Sequence, residues 1–224
     1  MASWMIHLRV ADGLLDRLED IDETAFVMGN IAPDSGVPNA DWSAYVPSKD
    51  VSHYKTKEQD IAFYDIGRFL AEYFSPSRQK AYSRRARSFF MGYWAHLLTD
   101  REWIIRIMQP SVEAYPEEWA ADRMALIRKL KKDWYDLDFL YLEQHPDFRA
   151  FQIYEQAKGF ENDLMGMFSR GAFDDRRQYI CGFYRGEHGN LHREYPYLTP
   201  GEADRFVAEA INQVALEFQK SSSN

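Results

Sequence analysis

The chain has 224 residues, 46% of them hydrophobic, with 15 Phe, 14 Tyr and 6 Trp. That is enough to fill a sizeable core and too aromatic for disorder over most of the length. A net charge of −8 repels polyanions and argues against an extended nucleic-acid surface, while leaving room for a small phosphate ester beside a bound cation. The single cysteine, Cys181, excludes an internal disulfide and a thiolate metal site, so a metal here must use histidines and carboxylates.

Ser3 can cap a first helix, in which Trp4, Leu8, Ala11, Leu15 and Leu18 recur at helical spacing and His7 lies on the same inward stripe. The stripe ends near Asp20. From Gly29 to about Lys55, proline, glycine and small polar residues break every period. Ile31, Val37, Trp42, Tyr45 and His53 are poor material for disorder, so this long segment reads as an ordered loop folded over a site. Helical patterning resumes over 57–74, with Ile61, Tyr64, Phe69 and Tyr73 as inward candidates. A further helix is expected over 78–108 and is expected to end at Pro110. In it, Arg84, Arg85 and Arg87 read as a solvated face. Helices follow over about 116–142, 148–168 and 174–183, then a loop over 186–197. Thr199-Pro200-Gly201-Glu202 matches a capping box for the last helix. No repeat or linker is visible and strand-like alternation is scarce. The expectation is one all-α multi-helix domain over residues 1–220, with 221–224 frayed. No run approaches the ~20 apolar residues of a transmembrane segment. Met1-Ala2-Ser3-Trp4 does not read as a secretory signal, which makes a cytoplasmic location the expectation.

The most informative run is Gly92-Tyr93-Trp94-Ala95-His96-Leu97-Leu98-Thr99-Asp100. His96 and Asp100 are one helical turn apart, so both side chains can reach one ion from a rigid backbone. Phe89, Tyr93 and Trp103 surround them in sequence, which turns the pair toward the core, where an uncompensated carboxylate is costly. The spacing alone better suits a buried Asp–His or Asp–Arg hydrogen bond. Three further residues point the same way: His7 on the inward stripe, Asp34 after a proline in the loop, and His53 where that loop closes. Jointly the five make a metal site the expectation. His188 and His192, with Glu187 and Glu194, read as a polar surface loop. Asp133, Asp136 and Asp138 suit an outer supporting role, and Cys181 a core position.

Trp4 and His7, Gly29-Asn30-Ile31-Ala32-Pro33-Asp34, Ser52-His53 and His96-Leu97-Leu98-Thr99-Asp100 together resemble the bacterial zinc-dependent phospholipases C, related in fold to S1/P1 nucleases. The resemblance covers roughly the first 110 residues. It implies an all-helical fold, zinc ions that hydrolyse phosphate esters, and Asp34, His53, His96 and Asp100 around one zinc. It further implies that Asp100 bridges toward a zinc held by His7, and that Asp34 is the catalytic base. The chain departs from that pattern in two places. Met1-Ala2-Ser3 precede the tryptophan whose amine is a ligand in the secreted enzymes, and the later His-x-x-x-Glu is missing. One or two zinc ions are therefore expected. The leading functional expectation is a zinc-dependent hydrolase of a small phosphate ester, with Trp42, Tyr45 and Trp103 as pocket walls. The alternatives are a metal-stabilised binding or regulatory protein without catalysis, and a helical scaffold without metal.

Overall fold

The structure, a computed structural model, describes residues 1–41, 43–58 and 61–222. Helix takes 67% of the chain and strand 4%, which bears out the mostly helical expectation. Helix α1 (Trp4–Leu15) starts where Ser3 Oγ accepts the Ile6 N–H, and α2 (Glu23–Ile31) starts where Asp22 accepts the Ala25 N–H. Asp34 closes the 3-10 turn Ala32–Asp34 that directly follows α2. Beyond it, the described residues form the strand pair β1 (Val37–Pro38) and β2 (Tyr45–Val46) and the short helix α3 (Lys49–Ser52). Arg176 ties this loop down by donating to the Gly36 carbonyl at 2.7 Å.

The expected helix over 57–74 is half wrong. Its first part is an antiparallel hairpin of β3 (Lys55–Glu58) and β4 (Ile61–Tyr64), and only α4 (Ile66–Tyr73) is helical. Ile61, Phe63 and Tyr64 are β-favouring residues, and Asp65 caps α4 through the Arg68 N–H. After α5 (Pro76–Ala81) comes the central helix α6 (Arg84–Trp103), buried almost all round from Ser88 onward.

Contrary to the expectation from sequence, Pro110 does not end this helix. The chain passes through a π-helical segment, Ile104–Met108, into α7 (Gln109–Ala114), with the proline in the first turn of α7. The wider turn makes room for the ring against the preceding carbonyls, which a regular α-helix does not. Next, the expected single helix over 116–142 is split at Asp122 into α8 (Pro116–Ala121) and α9 (Arg123–Gln144), because Asp122 caps α9 through the Ala125 N–H. Helix α10 (Arg149–Gln156) stops short of Phe168, since Asn162 organises the following turns with bonds to residues 164, 165 and 168. Helix α11 (Ala172–Tyr184) precedes α12 (Pro200–Ser222), whose Thr199–Glu202 capping box forms as expected. Ser221 and Ser222 are helical rather than frayed; 223–224 lie outside the described residues.

One buried cluster links α1, α2, α6, α9, α10, α11 and α12. Its tightest joint is α2 on α6. A Cβ placed on Gly29 would lie 2.0 Å from the Phe89 carbonyl oxygen, and one on Gly92 2.0 Å from that of Phe26. The two backbones touch because neither glycine has a side chain. This contact fixes Asn30, Asp34, His96 and Asp100 relative to one another. Among the described residues no helix is long and apolar enough to cross a membrane.

Candidate metal centre

All five residues singled out in the sequence meet at the end of this joint. His7 comes from α1, Asp34 from the 3-10 turn, His53 from the residue that ends α3, and His96 and Asp100 from successive turns of α6. Four of them are fully buried and Asp34 is 9% exposed. Tyr54, next to His53, holds a left-handed backbone at φ 52°. That conformation is uncommon for a bulky residue and turns the chain from α3 into β3.

His53 Nε2 lies 3.3 Å from His96 Nε2, 3.5 Å from Asp34 Oδ1 and 3.8 Å from Asp100 Oδ2, and His96 Nε2 lies 3.7 Å from Asp100 Oδ2. Four donors at bond lengths of about 2.0–2.2 Å in a tetrahedron stand roughly 3.3–3.6 Å apart. The His53–His96 and His53–Asp34 spacings match that separation and those to Asp100 are slightly longer; Asp34, His53 and His96 form one group that could hold an ion. A second group, His7, His96 and Asp100, overlaps the first, with His7 Nε2 3.4 Å from Asp100 Oδ1. The rings of His7 and His96 stack at 3.7 Å.

The surrounding bonds orient these donors. His96 Nδ1 is 2.7 Å from the Asn30 carbonyl, which can only accept, so Nδ1 carries the proton and Nε2 presents its lone pair. His96 therefore has one nitrogen to offer and can serve one ion. Ser52 Oγ holds His53 Nδ1 at 2.9 Å, and Tyr93 OH donates to the Ser52 carbonyl. Asp100 accepts the Ala2 N–H on Oδ1 at 2.8 Å and the Tyr64 hydroxyl on Oδ2 at 3.0 Å. Both ring nitrogens of His7 are buried with no hydrogen-bond partner among the described residues, Nε2 standing 3.4 Å from Asp100 Oδ1. A buried polar atom without a partner is uncommon and calls for an explanation.

The electrostatics agree with the geometry. Burial alone would raise Asp34, but the hydrogen bond and charge of His53 outweigh it and hold the carboxyl far below its ordinary value. Asp100, also against burial, is held well below by the N-terminal amine, His7 and His96. Burial, reinforced by His7, pushes His96 well below its usual range, so it is neutral. Ionised carboxylates beside a neutral imidazole leave buried negative charge that a cation would offset. The oxygen and nitrogen donors suit a divalent transition ion such as zinc.

Asp34 also lines a cavity of about 630 Å³, shared with Lys49, Lys55 and Lys131 and with apolar residues of the π-helical segment and α9. Burial lowers Lys55 below its ordinary value against the pull of Asp100, and it lowers Lys131 with help from Lys49. Sequence reasoning missed these lysines, together with Asn30, Ser52 and Tyr64 in their supporting roles. Ser52 and Asn30 stood inside the runs already singled out, whereas Tyr64 was hidden by the helical reading of its segment. Trp103 is not a pocket wall. It is fully buried against Trp134 and Phe206. Tyr45 is not among the residues lining the cavity, and Trp42 lies outside the described residues.

The remaining sequence candidates stand apart from the cluster. His192 pairs with Glu143 and His188 packs on Phe139, both in an exposed loop. Asp133 and Asp136 hold Arg193. Asp138 accepts from Ser3 Oγ and Tyr184 OH, each at 2.7 Å, and burial pushes it up to about 7. Cys181 is buried, as expected, and Arg84 and Arg85 pair at the surface with Asp20 and Asp163. No family model matches the chain, and neither curated proteins nor solved structures give a match.

Proposed function

We propose that the protein is a zinc-dependent hydrolase of phosphate esters, akin to the zinc-dependent phospholipases C that its motifs resemble. One observation carries the reading. Four donor atoms of Asp34, His53, His96 and Asp100 stand 3.3–3.8 Å from their neighbours, and one of these residues, Asp34, also faces a cavity with three lysines. When bound, the ion supplies positive charge beside the phosphoryl oxygens and brings the pKa of water toward about 7. The chain's own residues do the rest. Asn30 and Ser52 fix the imidazoles, and Tyr64 and the Ala2 N–H fix Asp100. Asp34, ionised and at the cavity wall, accepts a hydrogen bond from the attacking water and orients it. Because His96 serves one ion, the arrangement favours one tightly held zinc. His7 with Asp100 offers few donors of its own for a second.

The test is purified protein loaded with zinc, its metal content measured, and turnover followed on a panel of phosphomonoesters and phosphodiesters with Asp34→Asn alongside. About one zinc per chain and an activity abolished by Asp34→Asn are expected. Stoichiometric zinc with no turnover on any ester would sink the hydrolase reading.

That outcome is the one a second reading expects: a metal-stabilised protein without catalysis. Its specific support is that both ligand groups, His7–His96–Asp100 and Asp34–His53–His96, consist wholly of buried residues, whereas catalytic zinc keeps an open position.

A further inference from the structure

The cavity beside Asp34 is lined by two chemically different sets of side chains. Lys49, Lys55 and Lys131 reach it from α3, β3 and α9. None of the three forms an ion pair with a described residue, although Lys129 and Lys132, beside Lys131 on α9, pair with Glu118 and Asp136. Tyr45 and Tyr64 rings lie near Lys49 and Lys55, at 5.3 and 5.5 Å. The acids on the cavity are Asp34, already assigned to the ion, and the exposed Glu113 on α7. In a chain of net charge −8, three ammonium groups on one cavity with no ion-pair partner among the described residues mark a place where an anion is received.

Much of the remaining lining is apolar. The π-helical segment presents Ile104 and Met108, α7 presents Val112, and Trp119 and Trp134 add to it, with Arg123 over the Trp119 ring at 5.1 Å. A volume of about 630 Å³ suits a ligand of small-molecule size.

We propose that this cavity takes a phosphate monoester of an apolar alcohol, its head among Lys49, Lys55 and Lys131 beside Asp34 and its alcohol along Ile104, Met108 and Trp134. The proposal rests on the phosphoesterase reading and narrows it. A monoester carries close to two negative charges at neutral pH and three non-ester oxygens, which answers three ammonium groups. A diester carries one charge, a poorer match to the three lysines, and brings a second alcohol beside the arm proposed along Ile104, Met108 and Trp134.

The probe is a series of non-hydrolysable alkylphosphonates, methyl to octyl, titrated calorimetrically into the zinc-loaded full-length protein at a pH where the phosphonate is fully ionised. Affinity should rise about fourfold per methylene until the arm is full. The monomethyl ester of each phosphonate, a diester mimic, should bind at least about tenfold more weakly, as expected when one charged contact is lost. Lys55→Gln and Lys131→Gln should each weaken the diacid about tenfold with zinc content unchanged. Ile104→Glu should abolish the chain-length dependence while methylphosphonate still binds. Phenyl- and naphthylphosphonate distinguish an aryl from an alkyl source of the same head group.

Equal affinity for diacid and monoester, a flat chain-length series, or lysine variants that bind as the wild type does would each overturn the proposal. Turnover of hexyl phosphate separates the two readings. Binding as described without turnover sinks the hydrolase and keeps the ligand. Turnover of diesters with no preference for the diacid keeps the hydrolase and sinks the ligand.

Discussion

Gly92→Ala tests the joint on which the whole centre depends. The added Cβ would sit 2.0 Å from the Phe26 carbonyl oxygen and 2.8 Å from the Asn30 nitrogen, where ordinary contact begins at 3.4 Å. Both neighbours are helix backbone, so α2 must retreat from α6 by more than an ångström. The 2.7 Å bond from His96 Nδ1 to the Asn30 carbonyl spans the same gap and would open beyond hydrogen-bond range. Overpacking costs roughly 1–3 kcal/mol, and the stranded imidazole N–H adds roughly 1–3 kcal/mol. For a chain of this length the sum lowers the melting temperature by on the order of 10 °C. Loosening the bond that orients His96 should weaken zinc about 10–100-fold. Thermal unfolding and competition for zinc against a chromophoric chelator read the two effects. Gly182→Ala on α11, where an added Cβ meets nothing within 4 Å, is the control and should be neutral or stabilising by up to about 1 kcal/mol. A Gly92→Ala protein that melts with the wild type and holds zinc equally well would show that α2 and α6 do not meet as described.

Three further outcomes are expected. Removing metal from the zinc-loaded protein by dialysis against chelator should lower its melting temperature by roughly 8–16 °C if zinc is present at about 1,000 times its dissociation constant. No change would mean that the cluster holds no ion. Tyr64→Phe deletes the 3.0 Å bond to Asp100 and should cost about 1.5–3 kcal/mol in denaturant unfolding; wild-type stability would remove Tyr64 from the centre. Asp138 has a folded-state pKa raised from 3.8 to about 7, so between about pH 4 and 7 the native state holds a proton that the unfolded chain has released. Its contribution is therefore complete below pH 4 and lost as pH rises through 7, by on the order of 4 kcal/mol. The stability difference between wild type and Asp138→Asn, followed by denaturant unfolding across that window, should change by about this much. A difference independent of pH would refute the assignment.

The donor set was legible because each residue announced its direction locally. His96 and Asp100 share a helix face by spacing, His7 lies on an apolar stripe, and Asp34 and His53 punctuate a loop too apolar to be disordered. Where local signals conflicted, the reading failed. Tyr64, Phe69 and Tyr73 fit a helical period across 57–74, and β-propensity in Ile61–Tyr64 was overridden by it. Pro110 reads as a stop because sequence alone does not reveal that a π-helical turn will accommodate it. The three lysines were invisible for a different reason. They belong to α3, β3 and α9, and only tertiary packing places all three on one cavity. The same holds for Trp103, aromatic beside the candidate pair yet committed to Trp134 and Phe206.

The π-helical segment separates two tasks along one continuous rod. His96 and Asp100 lie before it, while Met108 and Val112 lie within it and beyond. A π-turn takes up one residue more than an α-turn, so a substitution that closed it to α register without a deletion would swing everything downstream by up to about 100°. Such a change would re-aim the greasy wall while His96 and Asp100 kept their places. A one-residue deletion would instead be absorbed by the same closure and leave both faces aligned.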